Sequence, residues 1–431
     1  MSHHLRERLE ALGDAFWLRP ALLVLACVLL GETSVWVERE GGGGLVIPDA
    51  WLYAGGEAGA RSLLGAVAAS TIGVAGTTFS ITIAALSLAS AQMGPRLLRN
   101  FVRDAGNQMA LGVFLGTFAY SLVVLRTVRS LEEGAFVPHL GVTGALILAL
   151  LCVGTLVWFV HHVATGINVE TVIAVVHDDL MAAMSRLTLA EPADAAAAPP
   201  AGGRPVTLEA TGYLRSLDEE GLADWAAGAG VTLTLLARPG DYLFPGVPIA
   251  RVMSAGPQGD VEAAERLRAA LTTGPRQAAA QDVEFAVRQL VEIAIRGLSP
   301  GVNDPFTAVA VLNHLGAALC TCRDRHFPGP ALHRDGRIVL FRRVTDYDGL
   351  TDAMFHLIRL NAAGSAAVLI RLLEVLAAVL EVERDAGRRA ALLRHAGLAH
   401  ALGRDTLRDA AALDDLDARR DATLAVPCPA A

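Results

Sequence analysis

Apolar residues dominate four stretches of the first 166 positions and then give way to shorter, periodic runs. A helix needs about 20 mainly apolar residues to span the hydrocarbon core of a bilayer. Segments at about 18–37, 62–92, 108–125 and 140–160 fit that requirement. Phe16, Trp17 and Trp36 frame the first as interfacial aromatics, and Glu32 lies within about a turn of Trp36, near enough to snorkel to the interface. No charge falls between Arg61 and Arg96, so the second segment predicts a helix of about 30 residues, about 45 Å long. It outruns a core of about 30 Å and must tilt or project.

Past residue 166 the pattern changes twice. Residues 167–205 read as a helical exit and then an Ala/Pro/Gly linker (AEPADAAAAPPAGGRP, 190–205). Residues 206–253 alternate in short runs around Thr211-Gly212, Arg238-Pro239-Gly240-Asp241 and Pro245-Gly246, which predicts a small β-rich module. Residues 254–425 predict a mainly helical domain, with helices at about 262–271, 281–298, 305–322, 350–360, 363–380 and 384–402 and one strand-like run at 337–344. The fold class is therefore a four-helix membrane domain, 1–166, followed by a cytosolic α+β region with a small β-rich module and a helical bundle.

Composition agrees with that division. The chain is 53% hydrophobic and 19% charged, with a mean hydropathy of +0.43, which excludes a disordered or nucleic-acid-binding tail protein and argues against a wholly soluble enzyme. Charge density is about 13% over residues 1–166 and about 22% beyond, close to the soluble norm. All 36 basic residues are arginine, which leaves no lysine for Schiff-base chemistry or a Walker-type phosphate loop. With the N-terminus inside, Arg6, Arg8, Arg19, Arg96, Arg99 and Arg103 lie on the cytoplasmic side, against Arg39, Arg61, Arg126 and Arg129 outside. That bias favours a multi-pass protein of a bacterial inner membrane with its C-terminal region in the cytoplasm. The five cysteines build no disulfide framework and read as reduced thiols. Val24-Leu25-Ala26-Cys27 faintly resembles a lipoprotein cleavage site, but the apolar run continues through Leu30, as an uncleaved anchor would.

Candidate chemistry is sparse. Ala66, Ser70, Gly73, Thr77, Ser80, Ala84, Ser87 and Ala91 follow at spacings of three and four, one small or hydroxylated face of the second crossing. Such a face serves close helix packing or lines a water-filled path in which hydroxyls replace ion hydration. Gly112 and Gly116 make a small-xxx-small pair on the third crossing. Between the two, Arg96, Arg99 and Arg103 share one face of an amphipathic connector that meets headgroups or couples the membrane to the soluble half. Glu284, Arg288, Glu292 and Arg296 repeat every four residues, as an ion-pair stripe, a subunit contact or an anion site does. Asp304 and Pro305 suit the cap and first position of a helix, and Ser299 and Asn303 before them leave an anion site at that N-terminus open. Cys320 and Cys322, near His314, His326 and His333, fit no zinc spacing, and no metal or cofactor is expected. His161 and His162 end the fourth crossing as interfacial polar residues or a pH-sensing pair. No catalytic triad, nucleophile elbow, metalloprotease or dinucleotide motif stands in a supporting context, so no enzyme is expected.

The segments PDAWLYAGGEAGARSLL (48–64), GTTFSITIAALSLASAQMGPRLLRNFVRDAGNQMALGVFLGTFAYSLVVLRTVR (76–129) and QDVEFAVRQLVEIAIRGLSPGVNDPFTA (281–308) resemble the bacterial predicted membrane proteins known as domain of unknown function 2254. The resemblance covers about residues 15–400. It implies an inner-membrane protein with an N-terminal membrane region and a cytoplasmic C-terminal region, and no activity. From the residues, the expectation is a homo-oligomeric channel or channel-like transporter of a small ion, gated by its cytosolic half. The alternative is a non-transporting sensor or scaffold whose cytosolic part binds an anionic ligand or a protein. A membrane enzyme acting on lipid is weakened by the missing catalytic constellation.

Overall fold

The computed structural model describes residues 16–40, 52–93, 104–129, 136–166, 168–192, 198–253, 257–277 and 281–429. It divides into two compact units, Met1–Thr171 and Val172–Ala431.

The first unit contains α1 (Leu18–Arg39), α2 (Glu57–Met93), α3 (Ala105–Leu125) and α4 (His139–Gly166), and all four are long and apolar enough to cross a membrane. Each runs past at least one of the ends that hydropathy alone suggests, because caps and ion pairs set where a helix stops. The Asp104 carboxylate accepts from the backbone N–H of Gly106 (2.6 Å) and Asn107 (3.3 Å) and so starts α3. Glu38, on α1, accepts from the N–H of His139 (2.7 Å) and Leu140 (3.1 Å) and caps α4. Glu57 pairs with Arg61 one turn on, at 3.1 Å, in the first turns of α2. Glu32 pairs with Arg126 while both side chains stay largely exposed, as residues at an interface do.

α3 is the centre of the unit and packs against the other three helices. Its glycines explain how. A Cβ at Gly112 would sit 3.1 Å from both Leu23 Cβ and Pro20 Cα, and one at Gly116 would sit 2.7 Å from Cys27 Sγ. Only glycine lets α1 lie this close. On the α2 side, Arg61 donates to the carbonyl of Val128 at 2.7 Å, which fixes the antiparallel register. Buried Tyr120 donates to the carbonyl of Gly141 at 3.1 Å and ties α3 to α4.

The second unit begins on α5 (Val169–Leu187), whose buried Ile173, Val176, Leu180, Ala183 and Met184 keep helical spacing. The β region is larger and less contiguous than 206–253. β1 (Arg204–Thr207), β5 (Pro248–Met253), β3 (Thr232–Leu235), β8 (Arg337–Phe341) and β7 (Ala331–Arg334) form one sheet in that order, and β3 and β8 run parallel. β4 (Tyr242–Leu243), β2 (Gly212–Leu217) and β6 (Leu271–Gly274) form a second, antiparallel sheet. α6 (Glu219–Ala229) lies inside the span that reads as alternating strands, and α7 (Pro257–Ala270) follows it. Asp218 caps α6 and Gly230 ends it in the left-handed conformation. Leu222, Ala226, Ala263 and Leu267 of these helices close a core with Leu214, Leu233, Val252 and Leu340.

The remainder is a helical bundle of α8 (Val283–Gly297), α9 (Pro305–Thr321), α10 (Tyr347–Asn361), α11 (Ala366–Leu380), α12 (Ala386–Thr406) and α13 (Ala410–Leu424). α11 contacts α9, α12 and α13, and its fully apolar buried stripe from Val368 to Leu380 explains why it is inside. α13 is absent from the expected helices: its charged, weakly amphipathic sequence buries little beyond Leu416 and Thr423.

Candidate functional site

The small-residue stripe lies on the outside of the first unit. Ala66, Ser70, Gly73, Thr77, Ser80, Ala84 and Ser87 are all exposed, and nothing lies within 4 Å of a Cβ placed on Gly73. α2 instead turns Ala60, Leu64, Val67, Thr71, Ala75, Thr78 and Ala85 inward. The stripe does not pack against the described helices of its own chain. The hydroxyls are not bare: Thr77 donates to the carbonyl of Gly73 and Ser80 to that of Gly76, both at 3.0 Å, and Ser70 donates to that of Val67 at 3.1 Å. A back-bonded hydroxyl tolerates an apolar surround, and its oxygen still accepts. The side chain of Ala91 and all of Arg96, Arg99 and Arg103 lie outside the described residues.

A second polar feature, buried and missed in the sequence, lies on α2 and α3. Thr71, Thr78, Asn107, Gln108, Thr117 and Ser121 are each at most 4% exposed. Thr117 donates to the carbonyl of Val113 and accepts from Cys152 Sγ at 3.2 Å. Thr78 Oγ1 and Asn107 Oδ1 have no partner among the described residues. The available signal was the seven-residue spacing of Thr71 and Thr78, one position off the stripe. At the same end of the unit His162 lies 2.9 Å from the Asp104 carboxylate and stacks on Trp158, so of the two histidines it is His162 that has an acidic partner.

In the second unit the four-residue charge repeat is not a solvated ladder. Glu284 is buried and accepts from Arg288 (2.9 Å), from Thr345 Oγ1 (2.9 Å) and from Arg238 (2.7 Å), 46 residues earlier. Arg288 also pairs with Asp282. Burial pushes the Asp282 carboxyl above the usual carboxylate range, against the pull of the Arg288 guanidinium. Glu292 and Arg296 approach at 3.8 Å nearer the surface. The repeat therefore splits: its first half locks α8 to the turn at Arg238, because a buried carboxylate requires partners from other elements. Arg238 and Thr345 carry no local signal of this role, being distant from α8 in sequence.

Asp304 is occupied as the cap of α9, accepting from the N–H groups of Phe306 (3.0 Å) and Thr307 (3.4 Å) and from Thr307 Oγ1 (2.6 Å). Asn303 takes the left-handed conformation (φ 51°), and Ser299 donates to the carbonyl of Arg296 (2.7 Å). These residues build the turn between α8 and α9. Cys322 is buried with Sγ 3.6 Å from Met184 Sδ, and His314 packs edge-on against His177. Burial raises both the Cys320 and Cys322 thiols and lowers His314, so the thiols stay protonated. Among the described residues no group of three His, Cys, Asp or Glu has ligand geometry.

Four membrane-length helices followed by a mixed helical and sheet unit define a membrane protein. The family described as "Predicted membrane protein (DUF2254)" matches residues 13–378, and the chain belongs to this family. It is 31% identical over 395 residues to uncharacterized proteins of Mycobacterium tuberculosis and Mycobacterium bovis, covering 89% of this chain and 75% of each relative. No solved structure matches.

Proposed function

We propose that the protein is the subunit of a homo-oligomeric channel or channel-like transporter, in which the outward face of α2 meets other copies around a transmembrane path for a small ion. The carrying observation is that Ser70, Gly73, Thr77 and Ser80 form an exposed small-residue face on a membrane-length helix. Lipid tails fill such a groove poorly and another helix fills it well, so the face favours self-association. Where copies leave a gap, the accepting oxygens and exposed glycine backbone offer a polar wall.

In this reading the N-terminus and the second unit are cytoplasmic at a bacterial inner membrane, supported by the bias of arginine toward that side. The second unit serves as vestibule or gate and catalyses nothing. One observation favours the second reading, a non-conducting sensor or scaffold: the stripe hydroxyls already donate to their own helix, which suits copies packed without a path.

Ion flux into proteoliposomes separates the two. Flux that is lost in Thr77→Leu and Ser80→Leu upholds the channel. An intact oligomer that passes no small ion under any gating condition overturns the channel and leaves the scaffold.

A further inference from the structure

Three arginines from two distant parts of the chain line one cavity of about 180 Å³ in the second unit: Arg238, in the turn after β3, and Arg342 and Arg343, just past β8. All three are held in place by the fold. Arg238 donates through Nη1 to Thr345 Oγ1 (2.6 Å) and through Nη2 to Glu284 (2.7 Å). Arg342 donates through Nε to the carbonyl of Gly329 (3.2 Å) and through Nη1 to Glu219. Arg343 donates through Nη1 to the carbonyl of Leu236 (3.2 Å) and is the most exposed of the three.

A guanidinium carries five N–H donors. These contacts engage two on Arg238, two on Arg342 and one on Arg343, so anchored donors are in excess at the cavity. Formal charge is not in excess: Arg238, Arg288, Arg342 and Arg343 face Glu219, Asp241, Asp282 and Glu284. Most of those carboxylates are committed to a close partner. Asp241 accepts from the backbone N–H of Arg238 at 3.1 Å, and its carboxylate stays 3.5 Å from the Arg343 guanidinium and 3.9 Å from that of Arg238, both beyond good hydrogen-bond length. Asp282 and Val283, at the start of α8, also line the cavity and bring the positive end of that helix to it.

We propose that this cavity binds the phosphate group of a small anionic ligand, held by Arg238, Arg342 and Arg343. Guanidiniums that reach it from separate elements suit the tetrahedral oxygens of a phosphate better than the single planar edge of a carboxylate. The volume falls below the roughly 300 Å³ at which drug-sized pockets begin. That size suits a phosphate with a small substituent.

The test is binding to the full-length protein in neutral detergent, followed by calorimetry and thermal unfolding with inorganic phosphate against chloride at constant ionic strength. Saturable binding and stabilisation are expected. Arg343→Glu, at the exposed arginine, should weaken phosphate about tenfold or more, with stabilisation by phosphate read against the variant's own phosphate-free melting temperature. Arg342→Lys keeps the charge beside Glu219 but loses the planar fork, and should also weaken it. Arg323→Glu, at an exposed arginine outside the cavity, should change nothing. A parallel arm in nanodiscs with and without phosphatidic acid identifies the source: a response only with that lipid assigns the phosphate to a headgroup. No saturable response in either arm, or an equal response in wild type and Arg343→Glu, overturns the proposal. The readout is binding, so it stands apart from whether the assembly conducts.

Discussion

α2 and α3 carry the same short-range signal, small residues three and four positions apart, and spend it in opposite directions. On α3, Gly112 and Gly116 face Leu23 and Cys27 of α1 so closely that no side chain fits. On α2, Gly73 and its neighbours face away from every helix of the unit, and Thr71 and Thr78 on another face point inward. The spacing thus announces a close partner without saying which. α3 finds its partner inside the chain, and α2 leaves its small face exposed on the outside of the unit.

The largest expected effect breaks this contrast directly. Gly116→Leu forces α1 off α3 and should destabilise the unit by about 3 kcal/mol, the upper range for overpacking, read as a lowered melting temperature in detergent. Gly73→Leu meets open space and should stay within about 0.5 kcal/mol while weakening self-association. Equal effects at the two glycines would erase the distinction.

Acid should act on the second unit and spare the α2 face, which has no titratable group. His395 is buried, and burial followed by the nearby Arg394 pushes its pKa down to about 4. A histidine so depressed contributes stability that is full above its ordinary value of about 6.5 and is lost as pH falls toward 4. The second unit should therefore lose about 3 kcal/mol over that window, and His395→Phe should flatten the dependence. Hydrogen exchange resolved by segment would show whether the acid-sensitive region is α10 and α12.

Smaller effects follow at the edges of α2. Arg61→Ala removes the donor to the Val128 carbonyl and should cost about 1 kcal/mol in thermal unfolding. Ser80→Ala deletes a hydroxyl that bonds only its own helix and should leave folding within about 0.5 kcal/mol. A change in flux without a change in stability there would mark the oxygen as part of a path.

The four crossings were legible because twenty apolar residues have few alternatives to a membrane helix. Which face of α2 turns inward was not, because Thr77 and Thr78 differ by one position and only tertiary partners decide between them. The second unit shows the same limit. The strand at β8 was visible as an alternating run, but its parallel pairing with β3 joins residues about a hundred positions apart. For the same reason Arg238, Arg342 and Arg343 looked like a turn and a strand end, and Glu284 like one member of a four-residue charge repeat. α6 was hidden by its short length between strand-like runs, where Asp218 and Gly230 were the readable start and stop signals.

Cysteine cross-linking in membranes tests the central claim, that the outward face of α2 contacts another copy. With the five native cysteines replaced, single cysteines at Ser70, Gly73, Thr77 and Ser80 should each give cross-linked oligomers, and single cysteines at the exposed Ile72, Phe79 and Ile83 should not. Monomers at all seven positions, or equal cross-linking at all seven, would contradict it.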